Sequence, residues 1–460
     1  MAERLHLLRR SWRRYGTALR TSLWFVPALL TLAAGVLALL LTELSPIMAP
    51  DSALGQWLLF GVGADGARAV LAAIATSMVT VAGVAFSITI VALSLAASQY
   101  SPRVLRTFMS DRASQLVLGL LVGVFVYCLL VLRTIRGGED DVFVPAFAML
   151  VGVGLAVLGI GGFIYFIHHI GTTIQASSIT ASIATETLHA IDQLFPEELG
   201  EDEPVPAPVS EDERPCSWQP IPAQQTGYLQ QVDTEALLTL ACQANTVARM
   251  GYGLGEFVID GTPLLWLASP IPVEPARVAA WNAAFTINRY RTTAQDAAFG
   301  LQQLVDIALK GLSPGINDTT TALMSLDYVT AILMRLAHRR IPNPRRYQEG
   351  VLRVIAPGPT FADVVAMAFD PIRQNAAGNV AALAHLLQAV DRLSHPTRDP
   401  PRRHALRRQA GLILDTARQS IPLAADRDAL ERHGERLLRD LSPVAIAPPH
   451  GRIDLPPHER

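Results

Sequence analysis

Apolar positions along the chain follow two different rhythms. Up to about residue 170 they merge into four nearly unbroken runs, at residues 23–41, 67–98, 116–132 and 142–170. A helix needs about 20 such residues to cross the hydrocarbon core of a bilayer, so each run predicts one transmembrane helix. Pro27 falls near the start of the first run, where a missing N–H costs least. No small-x-small cleavage site closes that run, which predicts a retained anchor rather than a cleaved leader. The second run exceeds the length of one span and predicts a helix that tilts or protrudes. From residue 186 onward the apolar positions come in short groups separated by charges, glycines and prolines, the pattern of a water-soluble region.

The second run carries a distinctive face. Thr76, Thr80, Gly83, Ser87, Ser94 and Ser98 fall in a stripe roughly 60° wide when wound at about 100° per residue, and Val91 lies on the same face. Two uses fit. Small and hydroxylated residues let neighbouring helices approach and hydrogen-bond across the contact. Alternatively, copies of this helix from several subunits surround a polar path, with Val91 as a dewetting constriction. The fourth run carries Gly152, Gly154, Gly159, Gly161 and Gly162, whose mixed spacing predicts close contacts on more than one face. His168 and His169 end it. The runs hold no further histidine to share a metal or haem, so an interaction with the helix end is expected of this pair.

The soluble region divides further. Residues 171–195 predict an amphipathic helical stalk and residues 196–226 an acidic, proline-rich linker. Within 227–350, the segments YLQQVD, NTVARM, EFVID and PLLWLA read as short strands of a small β-module, with Asp260–Gly261 predicting a hairpin between the last two. No lysine sits at such a tip, so the module shows no sign of a lipoyl-type carrier. Then follows RTTAQDAAFGLQQLVDIALKGLSPGINDTTTAL, which predicts two helices broken at Pro314 and Gly315, the second capped by Asp318. Arg291, Gln295, Asp296, Asn317 and Asp318 are its candidate ligand-binding residues, because convergent polar groups and free helix N–H groups suit a small molecule or ion. Caps, a tight turn and an internal Arg291–Asp306 ion pair account for the same residues structurally. Residues 351–442 read as helical, with helices at 361–393, 402–419 and 427–441, and 443–460 as a disordered tail.

Half of the 460 residues are apolar and only 17% are charged, a deficit confined to the first part of the chain. A net charge of −2 offers no surplus for polyanions, and no nucleic-acid partner is expected. Cys128, Cys216 and Cys242 lack CxxC pairing, so neither a metal site nor a disulfide framework is predicted. Arg4, Arg9, Arg10, Arg13, Arg14 and Arg20 precede the first run, and Arg103, Arg106 and Arg112 separate the second from the third. The positive-inside rule then predicts a cell inner-membrane protein with both termini, including the basic segment 1–22, in the cytoplasm. The expected fold class is a membrane α-helical protein of about four transmembrane helices within residues 23–170. A cytoplasmic α+β domain follows, with a small β-module and a helical C-terminal region.

Two segments carry a family resemblance. SMVTVAGVAFSITIVALSLAASQYSPRVLRTF and RTTAQDAAFGLQQLVDIALKGLSPGINDTTTA are similar to an uncharacterised bacterial membrane-protein family, domain of unknown function 2254, over about residues 15–440. In that family a proline usually follows the Asn-Asp pair; here Thr319 takes its place, which suits a first helical turn. The resemblance implies a four-span membrane protein with a soluble C-terminal region and brings no catalytic residues.

The sequence shows no hydrolase triad, phosphate loop, dinucleotide fingerprint or metal motif, so neither an enzyme nor a cofactor is expected. The leading expectation is a homo-oligomeric channel or transport-like protein in the lipid bilayer, its second span lining the path and its cytoplasmic domain assembling or gating the subunits. The competing expectation is a non-transporting sensor or scaffold that binds a ligand or partner near Arg291 and Asp318.

Overall fold

The structure, a computed structural model, describes residues 24–44, 63–99, 111–137, 142–194, 217–269, 274–293 and 296–442. The basic segment 1–22, Arg103, Arg106, the acidic stretch up to residue 216, Gln295 and the tail from residue 443 lie outside the described residues. The chain divides into two compact units, Met1–Ile179 and Thr180–Arg460.

The first unit holds four helices, α1 (Phe25–Leu44), α2 (Ala64–Gln99), α3 (Arg112–Thr134) and α4 (Ala146–Thr173), each long and apolar enough to cross a membrane. Helix α4 starts later than its apolar run. Val142–Phe143 forms a two-residue strand (β2) paired with Arg136–Gly137 (β1), and Pro145 then opens the helix. Helix α3 is central: Leu121, Val124, Tyr127, Cys128 and Val131 are all buried. Two glycines let α1 close on it. A Cβ on Gly119 would lie 2.7 Å from Leu30 Cδ1 and 2.9 Å from Pro27 Cα, and one on Gly123 would lie 3.3 Å from Ala34 Cβ. On α4, Gly152 meets Tyr127, Gly159 meets Met78 and Gly162 meets Leu120, whereas Gly154 and Gly161 face open space. The Tyr127 hydroxyl donates to the Ala148 carbonyl at 2.7 Å, which satisfies the one polar atom of that buried ring.

The second unit begins within α5 (Ala176–Leu194), and its strands and helices then alternate. They are β3 (Trp218–Pro222), β4 (Gly227–Val232), α6 (Thr234–Gln243), β5 (Ala248–Met250), β6 (Phe257–Val258), β7 (Pro263–Ala268), α7 (Pro275–Ala283) and β8 (Phe285–Asn288). Next come α8 (Ala297–Leu312), α9 (Thr319–Ala337), β9 (Arg345–Gln348), β10 (Val351–Ile355), α10 (Phe361–Asn375), α11 (Val380–Ser394), α12 (Pro400–Ser420) and α13 (Ala424–Asp440). A five-stranded sheet of order β3-β7-β5-β10-β9 and a three-stranded sheet of order β6-β4-β8 share one core with α6 and α7, built on Ile221, Leu229, Leu265, Leu267, Phe285 and Val354.

Three sequence expectations are corrected here. The last residues of the expected linker form β3, an edge strand, where Pro220 and Pro222 cost no ladder bond and Ile221 is buried. The Asp260–Gly261 turn closes no hairpin, because β6 pairs with β4 while β7 pairs with β3 and β5. Instead Gly261, at φ +79°, carries the chain from one sheet to the other, held by Asp260 N–H on the Thr226 hydroxyl and Gly261 N–H on the Ala223 carbonyl. The single helix expected over 361–393 is two, α10 and α11, separated at Gly378 (φ +80°) and restarted by the Asn379 cap.

Helix α5, expected as a stalk, is built into the second unit from Thr180 on. Asp192 takes a two-pronged ion pair from Arg335 and a further one from Arg339 on and just after α9. Arg402 in turn donates to the carbonyls of Ala337 and Arg339, closing the C-terminal end of α9.

Candidate functional site

The second span resolves into two opposite faces. Leu71, Ala75, Met78, Ala82, Ala85, Thr89, Ala92 and Ala96 are buried, and they alternate at four- and three-residue spacing without a break. That is the seam of a left-handed helix pair, and alanines along it permit close approach to α3 and α4. The predicted stripe is on the other side. Thr76, Thr80, Gly83, Ser87, Val91 and Ser94 are all exposed, centred about 180° from the seam at 100° per residue. Ser98 also falls within α2. A Cβ on Gly83 would touch nothing within 4 Å. Among the described residues, the stripe is open rather than packed against another helix of this chain. The Thr80 hydroxyl donates back to the Thr76 carbonyl at 2.8 Å, so it needs no partner on another helix. Large apolar residues flank the stripe, Val79, Phe86 and Ile90 on one side and Val84 and Leu95 on the other.

The motif in the second unit resolves differently. Arg291 donates through Nε and Nη2 to Asp296 Oδ2 at 2.9 and 2.7 Å, and its guanidinium lies 5.1 Å from the centre of the Phe299 ring. Asp296 is buried and caps α8 by accepting from Phe299 N–H at 3.1 Å. Burial pushes its carboxyl above the usual carboxylate range, against the pull of Arg291. Gly255, at φ +82°, passes so close that any side chain there would collide with both members of the pair. Beside them the buried Thr293 donates its hydroxyl to Glu186 of α5.

The expected Arg291–Asp306 pair is corrected: Arg291 takes its nearer neighbour Asp296, and Asp306 accepts from Gln302 one turn earlier on α8. Asn317 sits in the left-handed region at φ +49°, within the turn that brings Asp318 N–H onto the Gly311 carbonyl at 2.8 Å. Asp318 caps α9 as predicted, accepting from Thr321, whose hydroxyl and amide hold its carboxyl below the usual range. Arg291 and Asp296 thus stand at one end of α8 and Asn317 and Asp318 at the other. A helix of 16 residues puts those ends about 24 Å apart, more than a small ligand spans.

One contact had no signal in the sequence. His169 Nε2 lies 3.0 Å from Asp111 Oδ2, and the imidazole stacks on Tyr165. Asp111 also caps α3 through Ala113 and Ser114 N–H, so the pair ties the end of α4 to the start of α3. Nothing in the spacing of residues 58 positions apart announces such a meeting.

Four helices long and apolar enough to cross a membrane, followed by an α+β unit, define a membrane protein. The chain belongs to the family described as Predicted membrane protein (DUF2254), whose model matches residues 20–392. It is 32% identical over 413 residues to the uncharacterized protein Rv1290c of Mycobacterium tuberculosis, a match covering 88% of this chain and 79% of that one. The uncharacterized protein Mb1321c of Mycobacterium bovis matches to the same extent. No solved structure matches the chain.

Proposed function

We propose that the protein is a homo-oligomeric channel or transport-like protein in which the open face of α2 meets its counterparts in other copies and lines the path between them. The observation that carries this reading is the position of the stripe, opposite the seam that α2 uses within its own bundle. Among the described residues the four-helix unit buries only a few scattered polar side chains, Thr42, Thr89, Ser114 and Gln115, whereas a ring of α2 helices supplies hydroxyls, a glycine and a Val91 collar. The arginine bias of the sequence supports an inner-membrane location with both termini cytoplasmic. Bulky substitution tests the function: Ser87→Leu or Ser94→Leu is expected to abolish ion or solute flux in proteoliposomes while the protein still inserts. Absence of flux in the unsubstituted protein under every gradient tried contradicts the reading. The separation of Arg291 and Asp318 removes the geometric support for a shared ligand site between them.

A further inference from the structure

The five-stranded sheet of the second unit has one face in the core and one that no core residue covers. Ladder partners point to the same face, so the register assigns each side chain. Leu265 and Leu267 of β7, Ala248 and Met250 of β5 and Val354 of β10 point inward and are buried. The outward row reads Pro220, Trp266, Arg249, Ile355 and Arg345 across all five strands. Trp218 and Tyr347 continue it at the two edge strands. Arg249 is exposed, Trp218 is 38% exposed, and Trp266 and Arg345 are half-buried. No acidic residue stands in these rows. Two arginines two strands apart, about 10 Å, are therefore set among two tryptophans and a tyrosine on a sheet face that is open among the described residues.

We propose that this face binds the anionic headgroups of the membrane that anchors the chain. Charge complementarity selects the occupant: arginines with no acid in their rows of the sheet pair with lipid phosphate, and tryptophan and tyrosine favour the headgroup level where one end of the ring is wet. Tethering helps, because a domain fixed to a span samples the bilayer surface at high effective concentration, so a small surface suffices. The proposal is independent of whether copies assemble through α2.

The test uses the full chain in phosphatidylcholine nanodiscs with and without phosphatidylglycerol, each carrying a headgroup nitroxide that quenches nearby tryptophan. Wild type and the R249E/R345E variant contain the same tryptophans, so their difference reads this face. Stronger quenching is expected in anionic discs, reversed by salt and lost in the variant, with each arginine worth about five-fold in surface affinity. W218F/W266F is expected to remove the salt-sensitive part. If charge reversal unfolds the domain, R249Q/R345Q is expected to act in the same direction. Equal quenching in the two lipid compositions, or in wild type and a folded variant, overturns the proposal. So does quenching that emerges only when the acids of residues 197–213 are neutralised, which assigns the face to that segment, or binding of single-stranded RNA in place of lipid.

Discussion

In α2 the buried face is made of alanines, with Leu71, Met78 and Thr89 among them, and Phe86 and Ile90 are left outside; in α8 the buried face holds Leu301, Leu304, Val305 and Ile307, and Gln302, Asp306 and Lys310 lie on the side nearer solvent. Both helices bury one face, but by different criteria. Around α8 water penalises apolar area, so size and hydrophobicity decide which side goes in. Around α2 lipid is as apolar as the core, so close approach decides, and the small side chains win the seam. The hydroxyl stripe of α2 consequently has no counterpart in α8: among the described residues it is a face that neither packing within the bundle nor hydrophobicity accounts for.

The largest expected effect lies at the start of α8. Asp296→Ala removes a cap and leaves Arg291 without its buried partner, and is expected to destabilise the second unit by about 3 kcal/mol, read by thermal melting of the purified protein. Next come paired substitutions on α2. Ala85→Leu overfills the seam and is expected to cost about 2 kcal/mol, whereas Ser87→Leu, two residues on, is expected to change the stability of the single chain by less than about 0.5 kcal/mol. Equal costs would erase the distinction between the two faces. Asp318→Ala, at the exposed far end of α8, is expected to cost about 1 kcal/mol, a third of the effect at Asp296.

The smallest effect is electrostatic. Hydrogen bonds from Arg335 lower the carboxyl of Asp192, so its contribution is present at neutral pH and is lost as pH falls below the ordinary carboxylate range. Asp192 is well exposed, which makes the effect slight and salt-sensitive. Asp192→Asn is expected to remove that acid-side loss from a pH series of melts.

Much of this was legible in the sequence because the signals are local. Four apolar runs gave four helices, Asp318 announced the cap of α9, and three of the glycines of the fourth run, Gly152, Gly159 and Gly162, sit where a neighbour helix closes. The missed features depend on partners distant in the chain. VLRVI at 351–355 became β10 by pairing with β5 some hundred residues earlier, and Asp260–Gly261 joined two sheets because the strands it separates found better partners elsewhere. Candidate residues next to one another in sequence order were parted because a rigid helix, α8, lies between them.

Disulfide cross-linking in native membranes tests the central claim, that the outward face of α2 is a contact between copies. With Cys128, Cys216 and Cys242 replaced, Ser87→Cys and Ser94→Cys are expected to yield dimers on oxidation, while Ala85→Cys in the seam yields none. Monomers at all three positions, or cross-linking from the seam instead of the stripe, would contradict it.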